Sequence, residues 1–523
     1  MKKHLPFLML LATSFACNEE DSQRADGMAG EGNSAGEDGG TSSMTSGGNS
    51  NGSGGRNSSG GRNGSGSTSS SGGKTASGSG PSSGGDEPTA TGGTAPSIGG
   101  GPPGPSNSSV STDKIYQTMD GFGVSINVHS WDDGDVIPAL VELDEMGTRI
   151  WRVVYEMSDW EEVNDDDDPA HFDWDAYESI FSSPELEELW STLEWLNDQG
   201  HTSNVMLDFM GRAPEWMGGA TLDVRLKDEF VETIVAAAYY GRVTRGLEFG
   251  MLAPSNEVDW DGIEGPQIGA GDFAEILNDI VKGLADLGVE DLKIVGPDTA
   301  SGSFGVDQYM PAMMGYPKLM DRVDSIAIHE YSPMVHGLME AISSSDYPEL
   351  HGWVTETSYS DDALYFIENG ISAVLLWDGY DSVYRHAELA GRGSSPPNDA
   401  GPGPAALSFQ GRDYERRDTY YQWKQLARYV VPGMQRISAK TSLQDLTLFA
   451  FRHPTSGELT ILGRNWSAKS QTLMVNLGGL GAELSGFATN IDHKFDELSV
   501  SYERSVVSTS LPPDCIFTLS NAE

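Results

Sequence analysis

Two acidic stretches are the first candidates for chemistry in this chain. "LAPSNEVDW" (252–260) places Asn256 and Glu257 directly after the apolar run "LEFGMLA" (247–253). "GWVTETSY" (352–359) carries Glu356 at the end of "LHGWVTE" (350–356). Acids at the C-terminal ends of strand-like runs stand where a parallel barrel keeps its working groups. Two carboxyls facing each other across such a mouth suit cleavage of a sugar–oxygen bond. One protonates the leaving oxygen, and the other attacks the anomeric carbon or activates water. The two must differ in pKa. Arg152, in "TRIWRVV" (148–154), is a cation able to keep Glu356 charged. Glu257, without such a partner, is expected to stay protonated.

A single acid carries little weight here. The chain has 78 Asp and Glu against 32 Lys and Arg, a net charge of −46, so most acids form a solvated shell. It is the pairing across runs four and seven that separates Glu257 and Glu356 from the rest. Asp208, ending "SNVMLDF" (203–209), reads as structural. Glu330 alternates away from His329 and Tyr331 along "IHEYS". Trp131, Trp160, Trp216, Trp260 and Trp377 follow strand ends. Sugar rings stack on indole, although filling the core is the competing role for each of them. Trp377, closing the eighth run, is the best placed.

Eight strand-like runs alternate with helical patterns between residues 121 and 377. They are "GFGVSIN", "TRIWRVV", "SNVMLDF", "LEFGMLA", "LKIVGPD", "SIAIHEY", "LHGWVTE" and "ISAVLLW". That order predicts an α/β protein with a (β/α)8 TIM barrel over residues 113–430. A doubly wound sheet is the competing fold, but "GFGVSINVHS" makes a poor phosphate turn. Residues 431–523 change to short alternating strands and predict an antiparallel β-sandwich. The strand near "KIYQTM" (114–119) is expected to pair with it.

The first 17 residues have Lys2 and Lys3 ahead of an apolar stretch and read as a signal peptide. "SFAC" resembles a lipobox, with Cys17 as the lipidated residue. Residues 18–112 are rich in Gly, Ser, Asn and Thr and read as a disordered tether, with a reach of about 50–60 Å. The expected product is an exported monomer, anchored to the envelope by lipid or otherwise secreted.

Several classes are disfavoured. The acidic surface repels nucleic acid. The histidines are scattered with no HExxH, so no zinc site is indicated and no cofactor is expected. "GGKT" (72–75) lacks the strand and leading glycine of a phosphate loop. No G-x-S-x-G occurs in the globular part. The run "NDDDDPAHFDWD" (164–175) could take a cation, but it lacks an EF-hand's spacing, and a solvated loop is the plainer reading. Cys515 reads as a buried strand residue.

Six motifs in order carry a resemblance to the family 30 glycoside hydrolases of clan A. They are "QTMDGFGVSI", "WRVVYEMSDW", "GRAPEWM", "APSNEVDW", "GWVTETSY" and "RYVVPGMQRI". The resemblance implies a barrel with a side sandwich and a retaining double displacement. In it Glu257 is the acid/base and Glu356 the nucleophile. Asn256 bonds the sugar 2-hydroxyl and Arg152 supports the nucleophile. His329 and Tyr331 form an aromatic cluster, Trp377 the −1 platform, and Trp216 belongs to the loop after strand three. The chain departs from the pattern at Val258, where a proline is usual, at Val124, and in "GRAPEWM". The family's substrates include xylan, β-1,6-glucan, β-1,6-galactan and β-glucosides. Tyr380, Tyr384 and Arg385 could meet an acidic sugar. The competing function is a non-catalytic surface protein that binds carbohydrate on the same scaffold.

Overall fold

Eight parallel strands close into a barrel. In the computed structural model these are β2 (Gly121–Asn127), β3 (Ile150–Glu156), β4 (Val205–Met210), β5 (Met251–Ala253), β6 (Lys293–Thr299), β7 (Val323–His329), β8 (His351–Thr357) and β9 (Ala373–Leu376). β9 returns to pair with β2 and shuts the ring. The structure describes residues 105–522, apart from 129–130, 158–160, 162, 167, 261, 263, 332–333, 381–404 and 411–412. The leader, Cys17, nearly all of the tether, Trp160, Tyr384 and Arg385 therefore lie outside it.

The barrel strands are buried on both faces, so they read as continuous apolar runs rather than alternating ones. β3 shows the division. Trp151, Val153 and Tyr155 join the layer under the helices, while Ile150 points inward. Ile150, Met206, Met251, Ala253, Val295, Ala327, Trp353, Ala373 and Leu375 fill the lower barrel. Two residues further along β3 and β7, the same inward face presents Arg152 and His329, both fully buried. The apolar floor thus ends where the polar site begins.

Helices between the strands follow from local signals. Helix Pro184–Asp198 starts with Ser183 accepting the Leu186 N–H and with proline in its first turn. Gly200, at φ +90°, ends the turn that follows. Helix Ala270–Asp286 buries Phe273, Leu277, Ile280 and Leu284, one face at helical spacing.

A strand ahead of the barrel, β1 (Ser108–Thr118), pairs antiparallel with β12 (Gln435–Thr441), with Ile115 opposite Ile437. It begins inside the stretch assigned to the tether: Val110 is buried among the apolar residues of the side domain, which anchors the chain before residue 112. Past the barrel, β10 (Leu407–Gln410) and β11 (Asp413–Arg416) form a hairpin. The side domain then adds β12 (Gln435–Thr441), β13 (Leu446–Arg452), β14 (Leu459–Asn465), β15 (Gln471–Asn476), β16 (Ser485–Thr489), β17 (Lys494–Leu498), β18 (Ser501–Glu503), β19 (Val506–Leu511) and β20 (Cys515–Ser520). β1 bridges its two halves, antiparallel to β12 and parallel to β15 over a two-residue contact. Leu473 and Val507 of one half share an apolar cluster with Ile461 and Phe517 of the other, so the sheet folds on itself as a sandwich. Cys515 is fully buried in that cluster, and burial pushes its thiol up to about 12.

The sheet and barrel share one core. Trp423, on helix Asp418–Ala427, meets Phe122 of β2 edge-on, and Phe451 and Ile516 of the sheet join the same cluster. Gln425 on that helix donates to Thr489 at 2.9 Å and accepts from Thr518 at 2.8 Å.

Candidate active site

Arg152 is the hub of the barrel mouth. Its Nη1 donates to Glu356 Oε1 at 2.6 Å and lies 3.4 Å from Ser125 Oγ. Its Nη2 meets Asn256 Oδ1 at 2.6 Å, Asp298 Oδ2 at 2.9 Å and Asp208 Oδ2 at 3.0 Å. Burial alone would lower its pKa, but Asp208, Asp298 and Glu356 together raise it, so the guanidinium stays charged. A planar fork with several fixed donors suits this task, which a lysine could not copy.

Two irregularities deliver further groups to the same point. On β6, Asp298 is an extra residue between two paired positions of β7, with φ +56°. On β8, the pairing with β7 shifts at Thr355, so that both Thr355 and Glu356 reach the site. Bulges of this kind re-aim side chains that alternation would send away. Thr355 Oγ1 donates to Asp298 Oδ1. Asp298 is depressed below the usual carboxylate range: burial opposes the charge, but Arg152, His329 and Thr355 outweigh it.

The two glutamates have different surroundings. Glu356 accepts from Arg152 and from the Tyr331 hydroxyl. Glu257, at φ +42°, faces His329, whose Nδ1 is 2.8 Å from Glu257 Oε1 and 3.6 Å from Glu356 Oε2. His329 Nε2 lies 3.4 Å from Asp298 Oδ1. Burial would lower the histidine's pKa, yet Glu356, Asp298 and Glu257 carry it well above the ordinary value. The expectation that Glu257 lacks a charged partner is therefore corrected, because His329 is that partner. Burial still raises Glu257, against the histidine. The wall residue Asp208 is pushed up to about 8, chiefly by burial and then by its acidic neighbours, with Arg152 opposing. Near neutral pH it adds no full charge.

Oxygens of Glu257 and Glu356 and a nitrogen of His329 all lie within 4.8 Å of one another. That spacing could hold a metal ion. A protonated imidazole, however, is a donor and not a ligand, so proton chemistry fits the trio better.

The remaining residues divide. Asn256 spends its Oδ1 on Arg152 and one N–H on the Glu264 carbonyl at 3.1 Å, leaving a second N–H for a ligand. Tyr331 is 41% exposed and Trp260 48% exposed. Trp377 is partly buried, its backbone N–H on the Thr357 carbonyl, with a cis bond to Asp378. Trp216 is braced, its indole N–H on the Glu161 carbonyl at 2.8 Å. Tyr380 is not offered to a sugar: it is buried and donates to the Asn127 carbonyl at 2.7 Å. Glu330 is turned away as expected and meets His336 Nε2 at 2.8 Å. Val258 is buried in the apolar cluster around the barrel, and its carbonyl accepts the Ile268 N–H.

Asp298 and Thr355 are absent from the candidates singled out in the sequence. Asp298 ends the run "LKIVGPD", so the strand-end rule that points to Glu356 points to it too. Gly265 is a further residue that the sequence reading missed. A Cβ there would lie 1.6 Å from the Asn256 carbonyl oxygen, so only glycine lets this segment close over the residue before Glu257.

Comparison with known proteins gives no matching family model and no matching curated sequence. Solved structures do match. The catalytic domain of a GH30 xylanase C from Talaromyces cellulolyticus aligns at 16% identity and a TM-score of 0.60, over 79% of this chain and 99% of that one. A GH30 endoxylanase from Clostridium papyrosolvens C71 aligns at 14% identity and 0.61, over 80% and 100%. An endo-β1,6-glucanase aligns at 16% identity and 0.57, over 80% and 94%. The closed barrel with its side β-sheet is the fold of the family 30 glycoside hydrolases.

Proposed function

We propose that this chain is an exported, retaining β-glycoside hydrolase acting on an oligo- or polysaccharide. The observation that carries the reading is the pair Glu257 and Glu356, oxygens within 4.8 Å, each against a different cation. A retaining pair stands about 5–5.5 Å apart, whereas an inverting pair leaves room for water at about 6.5–9.5 Å.

In the first step Glu257 gives its proton to the leaving oxygen. Glu356 attacks the anomeric carbon as the glycosidic bond breaks, forming a glycosyl ester. Arg152 and Tyr331 hold Glu356 in line. In the second step Glu257 takes a proton from water, the oxygen attacks the same carbon, and the ester breaks to free Glu356. The free N–H of Asn256 suits the sugar 2-hydroxyl. Trp377 and Trp216 are proposed as walls for the ring faces. The related solved structures include xylanases and an endo-β1,6-glucanase, so xylan and β-1,6-glucan head the substrate panel, followed by β-1,6-galactan and β-glucosides.

Among the described residues no helix is long and apolar enough to cross a membrane. Export, with lipid on Cys17 and the Gly/Ser-rich tether between lipid and barrel, remains the proposed arrangement. A release assay on that panel tests the reading, comparing wild type with Glu356→Gln. Sugar released by wild type and not by the variant supports it. Release at equal rates refutes the nucleophile, and no release on any substrate favours a protein that binds carbohydrate without cleaving it.

A further inference from the structure

A second gathering of acids lies away from the catalytic pair. Glu229 and Glu232 sit three residues apart on helix Lys227–Tyr239 and so share a face. Asp165 comes from the segment between β3 and helix Trp174–Phe181. Oxygens of Asp165, Glu229 and Glu232 all lie within 4.8 Å of one another. Glu161, from the same segment, stands behind them and accepts the Asp165 backbone N–H at 2.6 Å and the Thr233 hydroxyl at 2.9 Å.

Glu232 is the independent sign. It is 2% exposed, its carboxylate belongs to this cluster, and its Oε1 has no hydrogen-bond partner. Among the described residues no arginine, lysine or histidine pairs with Glu161, Asp165 or Glu232. Burial, with the charges of Asp165, Glu229 and Glu161, pushes Glu232 up to about 9. A buried acid set of this kind holds protons or a cation.

The geometry favours the cation. Calcium binds oxygens at about 2.3–2.6 Å, so donors on opposite sides of one ion stand about 5 Å apart. Every donor here is an oxygen, the choice of a hard ion. We propose that Asp165, Glu229 and Glu232, supported by Glu161, bind a divalent cation of the calcium class. The ion fastens the segment after β3 to helix Lys227–Tyr239. It also steadies the mouth, because the Glu161 carbonyl takes the Trp216 indole N–H. The acidic run at 164–175 thus supplies one ligand, and its partners come from a helix far along the chain, which no linear calcium motif would show. This site does not depend on the catalytic reading.

The test is thermal unfolding of the whole chain, stripped with EDTA and dialysed, then titrated with CaCl2 or MgCl2 to about 5 mM, above the range typical of extracellular calcium modules. Calcium is expected to raise Tm by about 3 °C or more, magnesium by less. Glu232→Gln and the milder, half-buried Asp165→Asn should each abolish the shift, while Glu356→Gln should keep it. The proposal is overturned by a wild type that ignores calcium, by a shift surviving in both cluster variants, or by a larger response to magnesium. A shift lost in Glu356→Gln but kept in Asp165→Asn would also overturn it, by placing the ion in the barrel mouth.

Discussion

Arg152→Gln removes the guanidinium that lies against Asp208, Asp298 and Glu356. Arg152 and Asp208 are 0% exposed, with Asp298 at 1%. Asp208, up at about 8, is largely neutral at pH 7. The substitution therefore leaves the buried Asp298 carboxylate without its guanidinium and takes a donor from Glu356. Breaking a buried ion pair costs about 3–5 kcal/mol. His329 still stands 3.4 Å from Asp298 and 3.6 Å from Glu356, so the lower end, about 3 kcal/mol, is expected. The pH dependence follows from the direction of the Asp298 shift. In the wild type its folded pKa is depressed, so its contribution is present above the unfolded value of about 3.9 and is lost only as pH falls through the folded value. In the variant Asp298 loses the guanidinium that lowers it, and burial carries its pKa up past the unfolded value. The folded variant then binds more protons than the unfolded chain, and its stability falls as pH rises. Urea unfolding of both proteins at pH 7 and pH 5 measures this. The deficit should be about 3 kcal/mol at pH 7 and smaller by about 1 kcal/mol at pH 5. A deficit under about 1 kcal/mol at pH 7, or one indifferent to pH, would refute the hub.

Two further substitutions probe the site from other sides. His329→Gln removes the hydrogen bond and charge that lower Glu257, so the acid form should survive to higher pH. The alkaline limb of kcat/KM should move up by about one unit, and a limb that stays or moves down would contradict the assigned pair. Gly265→Ala puts a methyl where Asn256 has its carbonyl. The segment must shift by about 1 Å, and kcat/KM should fall about 100-fold, as misplacement on this scale can cost. Kinetics like those of wild type would show that the turn is slack.

The barrel was largely legible because strands buried on both faces leave continuous apolar runs. β2 falls on "GFGVSIN" to the residue. β5 is shorter than its run: Leu247 bonds back to the Gly241 carbonyl, closing the preceding helical turn, and only Met251–Ala253 forms the strand. In the sheet, the stretch 501–511 is divided into β18 and β19 by a turn at Arg504, with φ +55°. Glu257 and Glu356 were readable because strand ends locate them, and Arg152 because it is a cation inside an apolar run. Asp298 and Thr355 owe their aim to bulges, and bulges leave no periodic signal. The contact between His329 and Glu257 joins β7 to the turn after β5, which only the closed barrel brings together. Gly265 works by lacking a side chain, which a single sequence does not explain.

The central claim is that Glu356 forms a bond to the sugar with Glu257 as its acid/base partner. The direct measurement is proton NMR of the first product formed from whichever β-linked substrate the release assay selects, read before the sugar mutarotates. Double displacement predicts that the β-anomer accumulates first and decays toward equilibrium. An α-anomer appearing first would mean that water attacks directly, and that Glu356 is not the nucleophile.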